Sequence, residues 1–175
     1  MGPVRLVPAP PAATGFFMES SHVKILLLED SETDARLVID TLHRAAELQA
    51  ETLHVTTLAE AREHLGECEL LIADLHVPDG DYAEVLHFCG QVRQSRPVVI
   101  ITSMYGATPA YAAGRRGLGF LRKPTTPEGL IVEIRRSQGI LDAIREHDCR
   151  CQRAIELLDR ADVKAEEESQ LARSR

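Results

Sequence analysis

Five residues of this chain carry side chains that together could hold and accept a phosphoryl group. They are the acidic pair Glu29 and Asp30, Asp74, the hydroxyl of Thr102, and Lys123 ahead of Pro124. Three carboxylates brought together repel one another, so without a cation at least one of them has a raised pKa. A hard divalent cation such as Mg2+ relieves that repulsion, because it takes oxygen ligands and bridges readily to phosphate oxygens. Asp74 can then stay ionised and attack phosphorus to give an acyl phosphate. Such a transfer needs mainly alignment and charge neutralisation, which a metal ion and Lys123 supply from two sides. Thr102 can donate to one of the phosphoryl oxygens.

Taken singly, each residue has a plainer reading. Glu29 and Asp30 could simply cap a helix, and Asp74 precedes a turn of Pro78, Asp79 and Gly80. Thr102 could be a strand-end hydroxyl and Lys123 a solvated charge. Their places in the chain argue for more. Residues 23–28 (VKILLL), 70–73 (LLIA) and 98–101 (VVII) are short, continuous apolar runs, the pattern of strands buried on both faces. Between the first two, residues 34–49 repeat apolar side chains at Ala35, Val38, Leu42 and Ala45, one helical stripe. Ser31 supplies an N-cap there and Asp34 an acidic first turn. Residues 51–56 alternate and predict a half-exposed strand. Helices are predicted over 58–65, 81–94 and 108–116, a fifth strand over 119–122, and a last helix from Pro127, with proline in its first turn. Alternating strands and helices predict an α/β fold with a parallel sheet. Ligands of such folds bind beyond the carboxyl ends of the strands, where the strand order reverses. All five residues fall at such ends.

Residues 23–138 thereby resemble a bacterial response-regulator receiver domain of the CheY-like superfamily. The resemblance is carried by VKILLLEDS, LLIADLHVPDGD, RPVVIITS and GFLRKP, in that order. It implies a flavodoxin-like, doubly wound five-stranded parallel sheet of order 2-1-3-4-5. It implies a Mg2+ ion held by Glu29, Asp30, Asp74 and the backbone carbonyl of His76. Phosphorylation of Asp74 by a sensor histidine kinase, or a histidine phosphotransfer protein, is implied as well. Thr102 then becomes the switch hydroxyl, Phe120 the rotating aromatic of the fifth strand, and Lys123 the phosphate partner. His76 and Met104 lie two residues past Asp74 and Thr102, border the pocket mouth and tune phosphate lifetime. An apolar Met104 obstructs attacking water, whereas the His76 ring can position it. The stretch from Thr102 to Lys123 departs from the family by being slightly short, with Arg115, Arg116 and Gly117 in place of small residues. That leaves the length and docking of the fourth helix open.

On this reading the chain is a stand-alone, self-catalysed phosphoacceptor of a two-component or phosphorelay system, not a turnover enzyme. Its output passes through protein contacts. A phosphate-independent interaction or dimerisation module of the same fold is the alternative. A haloacid-dehalogenase-like phosphatase fits less well, because that family places its nucleophile at the end of the first strand with a second Asp two residues later. Here the nucleophile ends the third strand, and His76 takes the second position.

A length of 175 residues suits one domain with extensions. Residues 1–20 are expected as a disordered arm, with translation beginning at Met18 as the other reading; 21–138 as the receiver; and 139–175 as a C-terminal helical extension. The formal charge of -7 argues against a nucleic-acid partner, which asks for a basic stripe. No apolar run approaches the ~20 residues of a membrane span, and the proline-bearing N-terminal stretch lacks the apolar core of a signal peptide. Cys68, Cys89, Cys149 and Cys151 show no disulfide spacing and fit a reducing cytoplasm. His147, Cys149 and Cys151 stand two apart, a spacing that turns helical neighbours about 200° from each other, so no metal site is expected from them. From Ile134 an apolar seam passes Leu141, Ile144, Cys151, Ile155 and Leu158, with Ser137 and Asp148 in register and Gly139 as a candidate hinge. The seam supports a coiled coil and a homodimer; a surface helix folded back on the domain accounts for it equally.

Overall fold

A computed structural model of the chain describes residues 22–45, 48–104 and 107–173, with side chains of the last helix described to residue 153. Strands β1 (His22–Leu28), β2 (Gln49–Val55), β3 (Leu70–Ala73), β4 (Val98–Thr102) and β5 (Gly119–Arg122) alternate with helices α1 (Glu32–Arg44), α2 (Leu58–His64), α3 (Tyr82–Val92), α4 (Ala107–Arg115) and α5 (Pro127–Arg173). The strands form one parallel sheet of order β2-β1-β3-β4-β5. This is the expected flavodoxin-like, doubly wound arrangement. The strand order reverses at β1, so the carboxyl ends of β1 and β3 flank the crevice where such folds bind ligands.

The unbroken apolar runs follow from burial on both faces. Leu26, Leu28, Leu71, Ala73 and Ile100 enter the core beneath α2, α3 and α4. Their neighbours Ile25, Leu27, Leu70, Ile72 and Ile101 enter the opposite core with α1 and α5. Successive residues of a strand point to opposite faces, so each strand needs apolar side chains at every position. The stripe expected on α1 is used in full: Ala35, Val38, Leu42 and Ala45 are all buried. Complete burial of Leu42 alone contributes about 1.5–3 kcal/mol.

Helix and strand ends differ from expectation where hydrogen bonding decides. The first helix starts at Glu32, two residues early, because the Ser31 hydroxyl accepts from the Asp34 amide. It stops at Arg44, short of the expected residue 49, because Ala45 leaves the helical region. Gln49 and Ala50 instead pair with His22 and Val23, which lengthens the edge strand backwards. The fourth helix is nine residues long and ends at Arg115; two residues on, the positive φ of 65° at Gly117 allows the Leu118 amide to reach back to the Ala113 carbonyl. Ala113 and Leu118 are buried, so this helix is docked on the sheet despite its arginines.

The expected C-terminal seam divides in two. Ile134 and Leu141 are buried in the domain's own core, and Ser137 is no interruption: its buried hydroxyl donates to the Val98 carbonyl at 3.0 Å. Arg145 donates to the Ser95 carbonyl and is the last residue of α5 that we see joined to the sheet-bearing body. The half of the seam up to that point is therefore intramolecular. The side chains of Ile155 and Leu158 lie outside the described residues, as do residues 1–20. Gly139 does not interrupt α5, which continues to Arg173. Among the described residues, no helix is long and apolar enough to cross a membrane.

Candidate functional site

The loops that leave β1, β3 and β5 bring three carboxylates onto one ammonium. Lys123 Nζ donates to Glu29 Oε2 at 2.5 Å, to Asp74 Oδ2 at 2.5 Å and to Asp34 Oδ2 at 2.8 Å. The Glu29 and Asp74 side chains are 2% and 5% exposed, that of Lys123 11%, and that of Asp34 36%. Burial raises the pKa of Glu29, a shift that the Asp74 charge reinforces and that contact with Lys123 only partly relieves. Burial pulls the Lys123 ammonium down, but hydrogen bonds to Asp34, Asp74 and Glu29 outweigh it, and its pKa stands above the ordinary lysine value. Ionised, the group carries a surplus of two negative charges, from three carboxylates against one ammonium.

Backbone contacts fix the two acidic loops. The Asp74 amide donates to the Leu28 carbonyl, and the His76 amide donates to Asp74 Oδ1 at 3.1 Å, so both carboxylate oxygens of Asp74 are engaged. The Glu29 amide donates to the Val55 carbonyl. His54 Nε2 lies 2.8 Å from the Glu29 carbonyl oxygen and donates to it when that nitrogen carries the proton. Thr102, completely buried, accepts from the Met104 amide at 3.3 Å through its hydroxyl, and its carbonyl accepts from the Lys123 amide. Phe120 is half-buried against the core under α2, α3 and α4. His76 is exposed, and Met104 is 37% exposed.

The structure thus gathers Glu29, Asp74 and Lys123 and places Thr102 at the end of β4, where its carbonyl accepts from the Lys123 amide, with Met104 two residues on. Asp30 is exposed, and no hydrogen bond or ion pair ties it into the cluster. Asp34 takes that place, a role that its position in the first turn of α1 did not disclose. The signal was present: Asp34 lies four residues before Val38, beside the buried stripe of α1. Among the described residues no group of three His, Cys, Asp or Glu side chains is arranged to hold a metal ion; the Lys123 ammonium lies where Glu29, Asp34 and Asp74 meet. The donor set fits a hard cation all the same, being made only of oxygens and under-neutralised by Lys123. On α5, His147 and Cys151 are four apart and do face each other, with Sγ 3.8 Å from Nδ1, where the two-residue spacings did not predict a contact. No third ligand joins them among the described residues.

Asp79 was legible only as a turn residue, yet it ties the Asp74 loop to the next helix. Its carboxylate accepts from the Leu58 amide at 2.6 Å and the Ala59 amide at 2.9 Å, the free donors at the start of α2. Hydrogen bonds from Leu58 and then Ala59 hold its pKa below the usual aspartate value. Asp79→Ala is expected to lower stability by about 1 kcal/mol, the usual cost of losing a helix cap. Urea unfolding at neutral pH measures it; an unchanged midpoint would mean that Thr57, which also caps α2, suffices.

Comparison with known proteins gives the same fold. No family model matches the chain. The transcriptional regulatory protein VxrB of Vibrio cholerae is 27% identical over 112 residues, 63% of this chain, and the chain spans 44% of that protein's length. The Mn(2+)-bound response regulator Rcp1 is similar in structure at 26% identity, covering 67% of this chain and 91% of its own, with a TM-score of 0.51. The phosphorylated cyanobacterial phytochrome response regulator RcpA shares the fold at 22% identity, with coverages of 69% and 91% and a TM-score of 0.51. The resemblance read from the sequence is borne out: the fold is that of response-regulator receiver domains.

Proposed function

We propose that this receiver-fold chain is a phosphoacceptor switch in which Asp74 accepts a phosphoryl group from a histidine kinase or histidine phosphotransfer protein. The observation that carries the reading is the Lys123 ammonium held on the Asp74 carboxylate at the mouth of the sheet. In the transfer, a carboxylate oxygen of Asp74 forms the new P–O bond, the bond from phosphorus to the donor breaks, and the donor leaves with the electron pair. Lys123 neutralises the charge on the transferred group, and the Thr102 hydroxyl donates to one of its oxygens. Glu29, Asp30, Asp74 and the His76 carbonyl would hold Mg2+, which when bound supplies charge neutralisation at the phosphoryl oxygens. A phosphoryl group that engages Thr102 draws in the loop after β4, Phe120 turns, and the surface around α4 and β5 changes its population of states. Met104 obstructs water near the acyl phosphate and His76 can orient it, so these two set its lifetime. Because the phosphoryl group comes from another protein, the chemistry is self-catalysed acceptance, not turnover.

Intact-protein mass spectrometry after incubation with acetyl phosphate and Mg2+ tests this. A single phosphoryl adduct is expected, absent in Asp74→Asn and absent in EDTA. No adduct from acetyl phosphate or a histidine phosphodonor would favour a phosphate-independent interaction module.

A further inference from the structure

Three carboxylates share Lys123, and they differ in what each can do without it. Glu29 is 2% exposed and has no water to turn to. Asp74 is the group that reacts. Asp34 is 36% exposed and sits in the first turn of α1, where the helix N-terminus favours a negative charge. It also faces a groove of about 450 Å³ that Leu37, Val38, Thr41 and Pro124 line beside Lys123, so solvent reaches it. An incoming phosphoryl group needs the ammonium, and the partner that loses least by giving it up is Asp34.

Resting on the phosphoacceptor reading, we infer that Asp34 is the displaceable counter-ion of Lys123: a phosphoryl group on Asp74 takes the ammonium from Asp34 while Glu29 keeps its contact. Asp34 is thus a positioning residue. It holds Lys123 over Asp74 before transfer and competes with the phosphoryl group afterwards. Exchange of partners leaves a free carboxylate at the inner end of the groove, so the charge of the α1 surface reports the state of Asp74. No bond is made or broken beyond the phosphoryl transfer itself.

Fluoroberyllate in Mg2+ buffer, a phosphoryl stand-in, gives the test on the full chain. Asp34→Asn removes the competing charge and keeps the side-chain shape. It is expected to bind fluoroberyllate about threefold more tightly than the wild type, the scale of a half-exposed ion pair. In the wild type, the Asp34 carboxylate carbon resonance should move on fluoroberyllate addition, as that carboxylate passes from ammonium to water. A purely structural role for Asp34 would move neither quantity in this direction. Equal or weaker binding by Asp34→Asn, or an unmoved carboxylate resonance, overturns the inference while wild-type binding leaves the phosphoacceptor reading standing. Failure of the wild type both to bind fluoroberyllate and to form a phosphoryl adduct overturns the two together.

Discussion

Replacing Lys123 with Met should cost about 3–5 kcal/mol of unfolding free energy in EDTA, the loss expected when a buried ion pair is left with one partner. The side chain of Lys123 reaches two carboxylates that water barely touches, Glu29 and Asp74. Removing the ammonium leaves both charges buried in a cleft whose walls are apolar strands. The raised pKa of Glu29 limits the damage, since protonation of that group costs less than it would in water. Two rescues should follow. Mg2+ should restore part of the loss by replacing the missing positive charge, and Glu29→Gln on the Lys123→Met background should restore part of it without metal. Urea unfolding with and without Mg2+ measures all four states. A loss below about 1 kcal/mol in EDTA, the level of a surface pair, would mean that the cluster is hydrated and the ammonium does not hold it.

Divalent-ion affinity should fall steeply with falling pH, at a point set by Glu29 and above its ordinary 4.5. Burial, the largest cause, holds the pKa of this carboxyl above its ordinary 4.5. In the metal-free protein the native state therefore binds a proton that the unfolded chain has released. Stability falls as pH rises from 4.5 through the folded pKa; the contribution is complete below 4.5 and lost above that window. Metal binding selects the ionised form, so affinity shows the opposite dependence. It should be level above the folded pKa of Glu29 and drop by about tenfold per unit once pH passes below it. Calorimetric titration of Mg2+ from about pH 8 down to the ordinary glutamate value of 4.5 reads this directly. Affinity that stays level down to the ordinary glutamate pKa would show that Glu29 is not a ligand.

The parts of this molecule that repeat were legible from the sequence, and the parts that depend on one contact were not. Parallel strands announced themselves because both faces of the sheet are covered, so that VKILLL, LLIA and VVII had to be apolar throughout. Alternation of strands with helical stripes then fixed the side of the sheet on which Glu29, Asp74, Thr102 and Lys123 appear. Asp34 was read only as an acidic first-turn residue because helix geometry, not spacing to Asp74, decides which carboxylate meets Lys123. His54 and Asp79 act through backbone groups of Glu29, Leu58 and Ala59, and backbone partners leave no mark in a sequence. The seam of α5 left two readings open, and its first half follows the one in which the helix folds back on the domain. A period of three and four residues describes a helix face that packs on a sheet as well as one that packs on another helix.

That same helix has a mechanical consequence. α5 is joined closely to β5: the Phe120 amide donates to Glu133, and a side chain at Gly119 would stand 2.6 Å from the Ser137 hydroxyl. Past Arg145 the helix runs on for another 28 residues, to Arg173, about 42 Å at 1.5 Å per residue. As a rigid rod it would act as a lever about the point where Arg145 last holds it to the sheet-bearing body. Each degree of tilt at the sheet displaces the far end by about 0.7 Å over that length. A tilt of a few degrees passed on from β5 would thus displace the tip by ångströms.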